Sequence, residues 1–116
     1  FALQSNNDIC PDGWRVPSQN DFNELITFLG GYAVAGGKIK VLGTTGATNS
    51  SGFSALLGGI RYVYGSEEGG RFEALGSYGF IWTDNLLAVE YWTWSENIGN
   101  RGLRLNDGAY IRCLKN

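Results

Sequence analysis

The sequence predicts a single α+β domain over residues 1–116, with one main helix early and antiparallel strands and long loops in the second half. Three observations carry that expectation. A helix-start signal at Ser18 is followed by an apolar stripe of 3.6-residue period. Strand-like runs separated by Gly, Ser and Asn fill residues 59–114. Two cysteines, Cys10 and Cys113, stand near opposite ends of the chain. One helix first and strands later excludes the alternating pattern of a parallel α/β sheet.

Composition narrows the function classes. With 43% hydrophobic and 14% aromatic residues the chain can build one real core. Eighteen glycines, about twice the usual share, favour a fold with many turns. A net charge of −2 speaks against nucleic acid, whose phosphates need a concentrated basic surface. No apolar run approaches the roughly 20 residues of a membrane span, so none is expected. The chain opens on Phe1 with no signal sequence, as an excised domain or mature part of a longer exported protein would. There is no histidine, which removes the usual general base, the Ser-His and Cys-His nucleophile pairs and the commonest zinc ligand. No catalytic residue, metal ligand or cofactor is therefore assigned. An even cysteine count with terminal placement fits an oxidising compartment, so an extracellular or cell-surface location is expected.

In chain order, residues 1–9 are read as a short strand and turn leading to Cys10. The stretch Cys10-Pro11-Asp12-Gly13-Trp14-Arg15-Val16-Pro17-Ser18 holds both prolines and one cysteine. Cys10 and Cys113 are read as a clasp closing a loop of roughly 100 residues, worth about 4 to 5 kcal/mol in the chain-entropy model. Two separate buried thiols are the alternative. Ser18 is a good N-cap, and Asp21 completes a capping-box pattern. Phe22, Leu25, Ile26 and Leu29 form the helix's core face, and Gly30-Gly31 ends it. Ala35-Gly36-Gly37-Lys38-Ile39-Lys40-Val41 pairs glycines with a lysine but lacks the phosphate-loop pattern and its strand-to-helix context. Thr44–Ser51 reads as a polar loop, and its Asn49-Ser50-Ser51 triplet matches a glycosylation acceptor relevant only to a eukaryotic secretory host. Strands are expected at 59–64, 71–75, 78–83, 88–95, 101–105 and 109–114. If Asn106-Asp107-Gly108 is a three-residue hairpin loop with Gly108 left-handed, Leu105 faces Ala109, Leu103 faces Ile111 and Arg101 faces Cys113. That register puts Leu103, Leu105, Ala109, Ile111 and Cys113 on one side and Arg104, Tyr110 and Arg112 on the other.

Four segments together resemble one family. Cys10–Ser18 is similar to its CPxGWxVP opening and Ala35–Lys40 to its AGGKLK segment. Asn49-Ser50-Ser51-Gly52-Phe53-Ser54-Ala55-Leu56-Leu57-Gly58-Gly59 resembles its NxSGFSALPGG segment, and Ile111-Arg112-Cys113 its closing VRC. This is the Fibrobacter succinogenes major paralogous domain of Bacteroidetes surface proteins, and the likeness covers nearly the whole chain. The resemblance implies a C-type-lectin-like fold whose termini meet and whose late strands and loops carry ligands. It also implies an exported protein, often a lipoprotein, in a family some of whose members are diversified by retroelements. The chain departs from the pattern at Leu57, where proline is usual, at Arg15, where histidine is common, and in a shorter, more aromatic region after Ile81-Trp82-Thr83.

Among the polar constellations, Asp84-Asn85 with Glu90 suggests a lectin calcium site. The oxygens are too few for the six to eight that calcium takes, and lone Asp-Asn pairs usually make turns. Glu67-Glu68 are sequential, a poor geometry for a hydrolytic carboxylate pair. A formylglycine-generating relative would need a reactive cysteine pair, and the spacing here suits a clasp. The run Glu90-Tyr91-Trp92-Thr93-Trp94 is the sharpest feature. At strand period Glu90, Trp92 and Trp94 share a face, as a platform for a sugar ring or a partner's side chains, or as core. The expectation is a binding module that recognises a glycan or protein through Trp82, Asp84, Asn85, Glu90, Trp92, Trp94, Asn97, Asn100 and Arg104. The alternative is a structural or adhesive module of a bacterial surface assembly. Full-length context discriminates these two, and the oligomeric state is left open.

Overall fold

The structure, a computed structural model, describes residues 8–63 and 69–116. Most of the strand expected over residues 1–9, the end of that expected at 59–64 and the Glu67-Glu68 pair lie outside the described residues. Along the chain run β1 (Trp14–Arg15), α1 (Gln19–Phe28), α2 (Ala35–Ile39), β2 (Ile60–Tyr62), β3 (Arg71–Glu73), β4 (Tyr78–Trp82), β5 (Leu87–Trp92), β6 (Ile98–Gly102) and β7 (Leu114–Lys115).

Local sequence starts and stops α1. The Asp21 backbone N–H donates to Ser18 Oγ at 3.1 Å, and the Ser18 N–H donates to the Asp21 carboxylate at 2.7 Å. Those two bonds satisfy donors that a helix start otherwise leaves unpaired. Phe22, Ile26 and Leu29 are buried and Leu25 packs against the same core. Gly30 and Gly31 then take φ 107° and 101°, open to glycine at little cost, and the Gly31 N–H returns to the Ile26 carbonyl. Arg15 adds a two-pronged ion pair to Asp21, at 2.5 and 2.8 Å. The Arg15 guanidinium, helped by the Ser18 N–H and hydroxyl and opposed by partial burial, holds the Asp21 carboxyl well below the usual carboxylate range. A carboxyl lowered on folding stabilises the fold fully above its unfolded value near about pH 4, and that contribution fades as pH falls toward the folded value. Asp21→Asn should therefore cost about 1 kcal/mol at pH 7 and flatten the decline of melting temperature below pH 4, read by thermal scans across pH.

Residues 10–15 meet residues 113–116. Cys10 and Cys113 form a disulfide with Cα atoms 5.8 Å apart across a separation of 103 residues, so the reading as separate thiols is set aside. β1 pairs antiparallel with β7, Trp14 opposite Lys115 and Arg15 opposite Leu114. In the second half, β4, β5 and β6 form an antiparallel sheet with β5 central, and β2 pairs with β3. Strand alternation divides the interior in two. Ile81, Val89, Tyr91 and Ile98 face α1 and join Phe22, Ile26 and Leu29 in one core. Phe80, Trp82 and Ala88 face the other way, toward Ile60 and Leu103. Gly79 sits opposite Tyr91, where a Cβ would stand 2.2 Å from the ring, so only glycine lets Tyr91 lie across β4.

The expected C-terminal hairpin does not form. β6 spans Ile98–Gly102, earlier than residues 101–105, and pairs with β5, placing Arg101 opposite Ala88 instead of Cys113. Gly108 does not take the left-handed conformation. The cause is Asp107, whose carboxylate is buried and accepts the Arg104 N–H at 2.9 Å and the Val63 N–H at 3.3 Å. That side chain turns the backbone toward β2. Gly108 then exchanges both backbone bonds with Arg61, and Tyr110 bonds Phe80 and Trp82 in a parallel bridge. In place of one strand, residues 109–114 carry one isolated bridge, at Tyr110, and the start of β7 at Leu114. Leu105 and Ile111, expected inside, are 41% and 38% exposed.

Ala35–Lys40, where no element was expected, is a short helix that ends in a fully buried lysine. Lys40 Nζ donates to the carbonyls of Thr45, Trp92 and Ser95 at 2.9, 2.8 and 2.7 Å. Lys38 Nζ donates to the Leu29 carbonyl at 2.6 Å. Both ammonium groups are taken up by the protein's own backbone. Burial lowers the Lys40 pKa, with the Glu96 charge opposing that shift.

Candidate functional site

At the end of the sheet where β4 begins and β5 finishes, aromatic side chains gather on the face turned away from α1. The β4–β5 register sets Tyr78 opposite Trp92 and Phe80 opposite Glu90, so all four project to that side. Tyr78 stacks on Phe80 at 5.8 Å between centroids and meets Trp92 at 6.2 Å, tilted by 45°. Trp94 lies past the end of β5, in a turn, yet its ring returns edge-on to Tyr78 at 5.1 Å and 88°. Such tilted and edge contacts suit the ring quadrupoles and fix the group's geometry. Phe80 is buried, Tyr78 and Trp92 are half-buried, and Trp94 remains 56% exposed.

A charged border runs beside the rings. Arg101 lies over Phe80, 5.6 Å from its centroid. Its Nε donates to Glu90 at 2.8 Å and its Nη1 to the Tyr62 hydroxyl at 3.3 Å. Gly99, opposite Glu90, leaves the floor between Glu90 and Trp92 without a side chain. Beyond Arg101 a polar hollow of 350 Å³ lies between Tyr62, Val63 and Asp107 on one side and Arg101–Arg104 on the other.

Of the residues expected to bind, Glu90, Trp92 and Trp94 come together here. Asn97 immediately precedes β6, and Arg104 lines the polar hollow. Four others do not converge. Trp82 is 4% exposed and fills the core between Ile60 and Leu103, because its position in β4 puts it under β2. Asp84 and Asn85 form the β4–β5 turn at the opposite end of the sheet, about 17 Å away at strand rise. There the Asp84 N–H donates to Pro17, and the Thr83 hydroxyl bonds Asn85. Asn100 projects to the α1 side, where its amide bonds Gln19 and the Tyr32 hydroxyl. Sequence reasoning missed Tyr78, Tyr62 and Arg101. Pairing the run 78–83 with the strand that follows around a three-residue Asp84–Leu86 turn, Thr83 opposite Leu87, would have set Tyr78 opposite Trp92. Tyr62 and Arg101 come from separate sheets and carried no local signal.

An apolar cleft of 280 Å³ lies on the α1 side, between Phe22, Leu25, Phe53 and the disulfide. Arg112 partly closes it, its guanidinium 4.1 Å from the Phe53 ring centre and bonded to the Phe53 carbonyl. Among the described residues no three His, Cys, Asp or Glu side chains converge as metal ligands, and no helix is long and apolar enough to cross a membrane.

The family model of the Fibrobacter succinogenes major domain matches residues 1–115 of this chain. No curated protein and no solved structure matches it.

Proposed function

We propose, from the premise that this chain belongs to the Fibrobacter succinogenes major domain family, that it is a binding module displayed outside the cell. Its ligand, a glycan or a protein segment, lies on the Tyr78–Trp92–Trp94 face. The observation that carries this reading is Trp94, 56% exposed yet held edge-on against Tyr78. A large, oriented aromatic surface beside a polar border is the composition of binding hot spots and of adaptable paratopes. Tyr62, Glu90 and Arg101 supply directional hydrogen-bonding groups next to it. A sugar ring laid on Trp94, with its hydroxyls toward that border, uses both features.

The disulfide supports an exported location, since such bonds persist in oxidising compartments. The clasp between Cys10 and Cys113, one main helix and late sheet support a C-type-lectin-like fold as the finer description. We extend the same reading to a cell-surface lipoprotein context and to a face that retroelement diversification would vary. The proposal assigns no reaction, cofactor or metal to the chain. A structural module of a surface assembly is the second reading, favoured by Phe72 and Leu75, which are 84% and 80% exposed on and just after β3.

The test is a glycan array, with pull-down from host and community extracts alongside, probed with the wild-type domain and with Trp94→Ala. The substitution should weaken binding by about 2 kcal/mol, roughly 30-fold, as for an anchor residue. Its melting temperature should fall by no more than roughly 5 °C, since one aromatic contact of about 1 kcal/mol is lost. Equal binding by both proteins would place the ligand elsewhere.

A further inference from the structure

We propose that Ala35–Lys40 is a main-chain clamp on residues 92–97, and that it makes this turn a specificity element whose exposed side chains can be exchanged without loss of the fold. The functional half of the proposal rests on the binding face described above. The clamp itself stands on geometry alone.

The clamp's hydrogen bonds to the turn end on backbone atoms. Lys40 Nζ reaches the carbonyls of Trp92 and Ser95, and its remaining bond holds Thr45. The Thr45 N–H in turn donates to the Thr93 carbonyl at 2.9 Å, and the Gly37 N–H donates to the Glu96 carbonyl at 3.0 Å. Gly36 lies directly under the next residue, since a Cβ on it would stand 2.1 Å from the Asn97 carbonyl oxygen. The glycine pair thus serves close backbone approach, and the buried ammonium gathers three carbonyls that would otherwise lack donors.

Two side chains of the turn do touch its frame. Ser95 Oγ accepts the Asn97 N–H at 3.1 Å, and the Glu96 stem packs over Gly46. Thr93, Trp94 and Asn97 make no side-chain hydrogen bond to the clamp, and the Trp94 ring packs edge-on against Tyr78. A backbone held through its carbonyls is indifferent to the identity of those residues. The same frame can therefore present a tryptophan to a flat ligand face, such as a sugar ring, or a different group to a different partner.

The experiment compares a triple variant, Thr93→Ser with Trp94→Leu and Asn97→Lys, against Gly36→Ala and Lys40→Met. The triple variant should stay within roughly 5 °C of the wild-type melting temperature, whereas each clamp variant should lose roughly 10 °C or more. Amide exchange gives a local readout. The Gly37 and Thr45 N–H groups should stay protected in the triple variant and lose protection in Gly36→Ala, whose Lys40 is intact. On a glycan array the triple variant should show a different set of bound sugars. A triple variant as destabilised as Lys40→Met, or one whose Gly37 and Thr45 amides exchange freely, overturns the clamp. If the amides stay protected while neither protein binds any sugar or extract component, the clamp stands and the binding reading fails.

Discussion

Lys40→Met should lower the unfolding free energy by about 3 kcal/mol or more. Methionine keeps the apolar stem and removes the three donors, leaving the carbonyls of Thr45, Trp92 and Ser95 without their partner. A buried acceptor left unpaired costs about 1 to 3 kcal/mol. Relief of the ammonium's own burial, visible in its lowered pKa, offsets part of that sum. Urea unfolding should show a lower midpoint with an unchanged slope. A loss below about 1 kcal/mol would mean that the lysine bonds contribute little beyond what solvent supplies.

Replacing Cys10 and Cys113 together by alanine should cost about 4 to 5 kcal/mol, because the bond closes a loop of 103 residues in the unfolded chain. The two segments are otherwise joined by the two residue pairs of β1 and β7 and by the Asn116 N–H bond to the Gly13 carbonyl. The fall in melting temperature should reach roughly 15 to 25 °C. The native protein should also resist alkylation, as no free cysteine is present among the described residues. Two thiols that alkylate without denaturant would contradict the clasp.

How much of this was legible depends on the range of the forces involved. Ser18 and Asp21 act within one helical turn, so the start of α1 could be read from adjacent residues. Cys10 and Cys113 were legible because chemistry offers an isolated pair few other fates in an oxidising compartment. β4 and β5 followed from alternation, to within a few residues at each end. The last strands were not legible, because Asp107 chooses between its neighbours and Val63, 44 residues away in sequence. Hydrophobic pattern favoured a local hairpin, and a buried carboxylate overrode it. Lys40 ran against the strongest compositional expectation, that lysine stays at the surface. The candidate site divided along the same line. Glu90 and Trp92 share a face by strand period and Trp94 returns to it from a turn, whereas Trp82 and Asn100 needed the positions of β2 and α1 to reveal which way they point.

Heteronuclear NMR with the tightest-binding array sugar or captured partner would test the central claim most directly, by following the four tryptophan indole N–H signals and the backbone amides. Binding at the aromatic face should move the Trp92 and Trp94 indoles and the amides of residues 78 and 99–101, leaving Trp14 and the Phe53–Arg112 cleft unchanged. Shifts confined to Trp14, Phe53 and residues 112–114, with Trp94 unmoved, would place the ligand in the apolar cleft beside the disulfide and contradict the account.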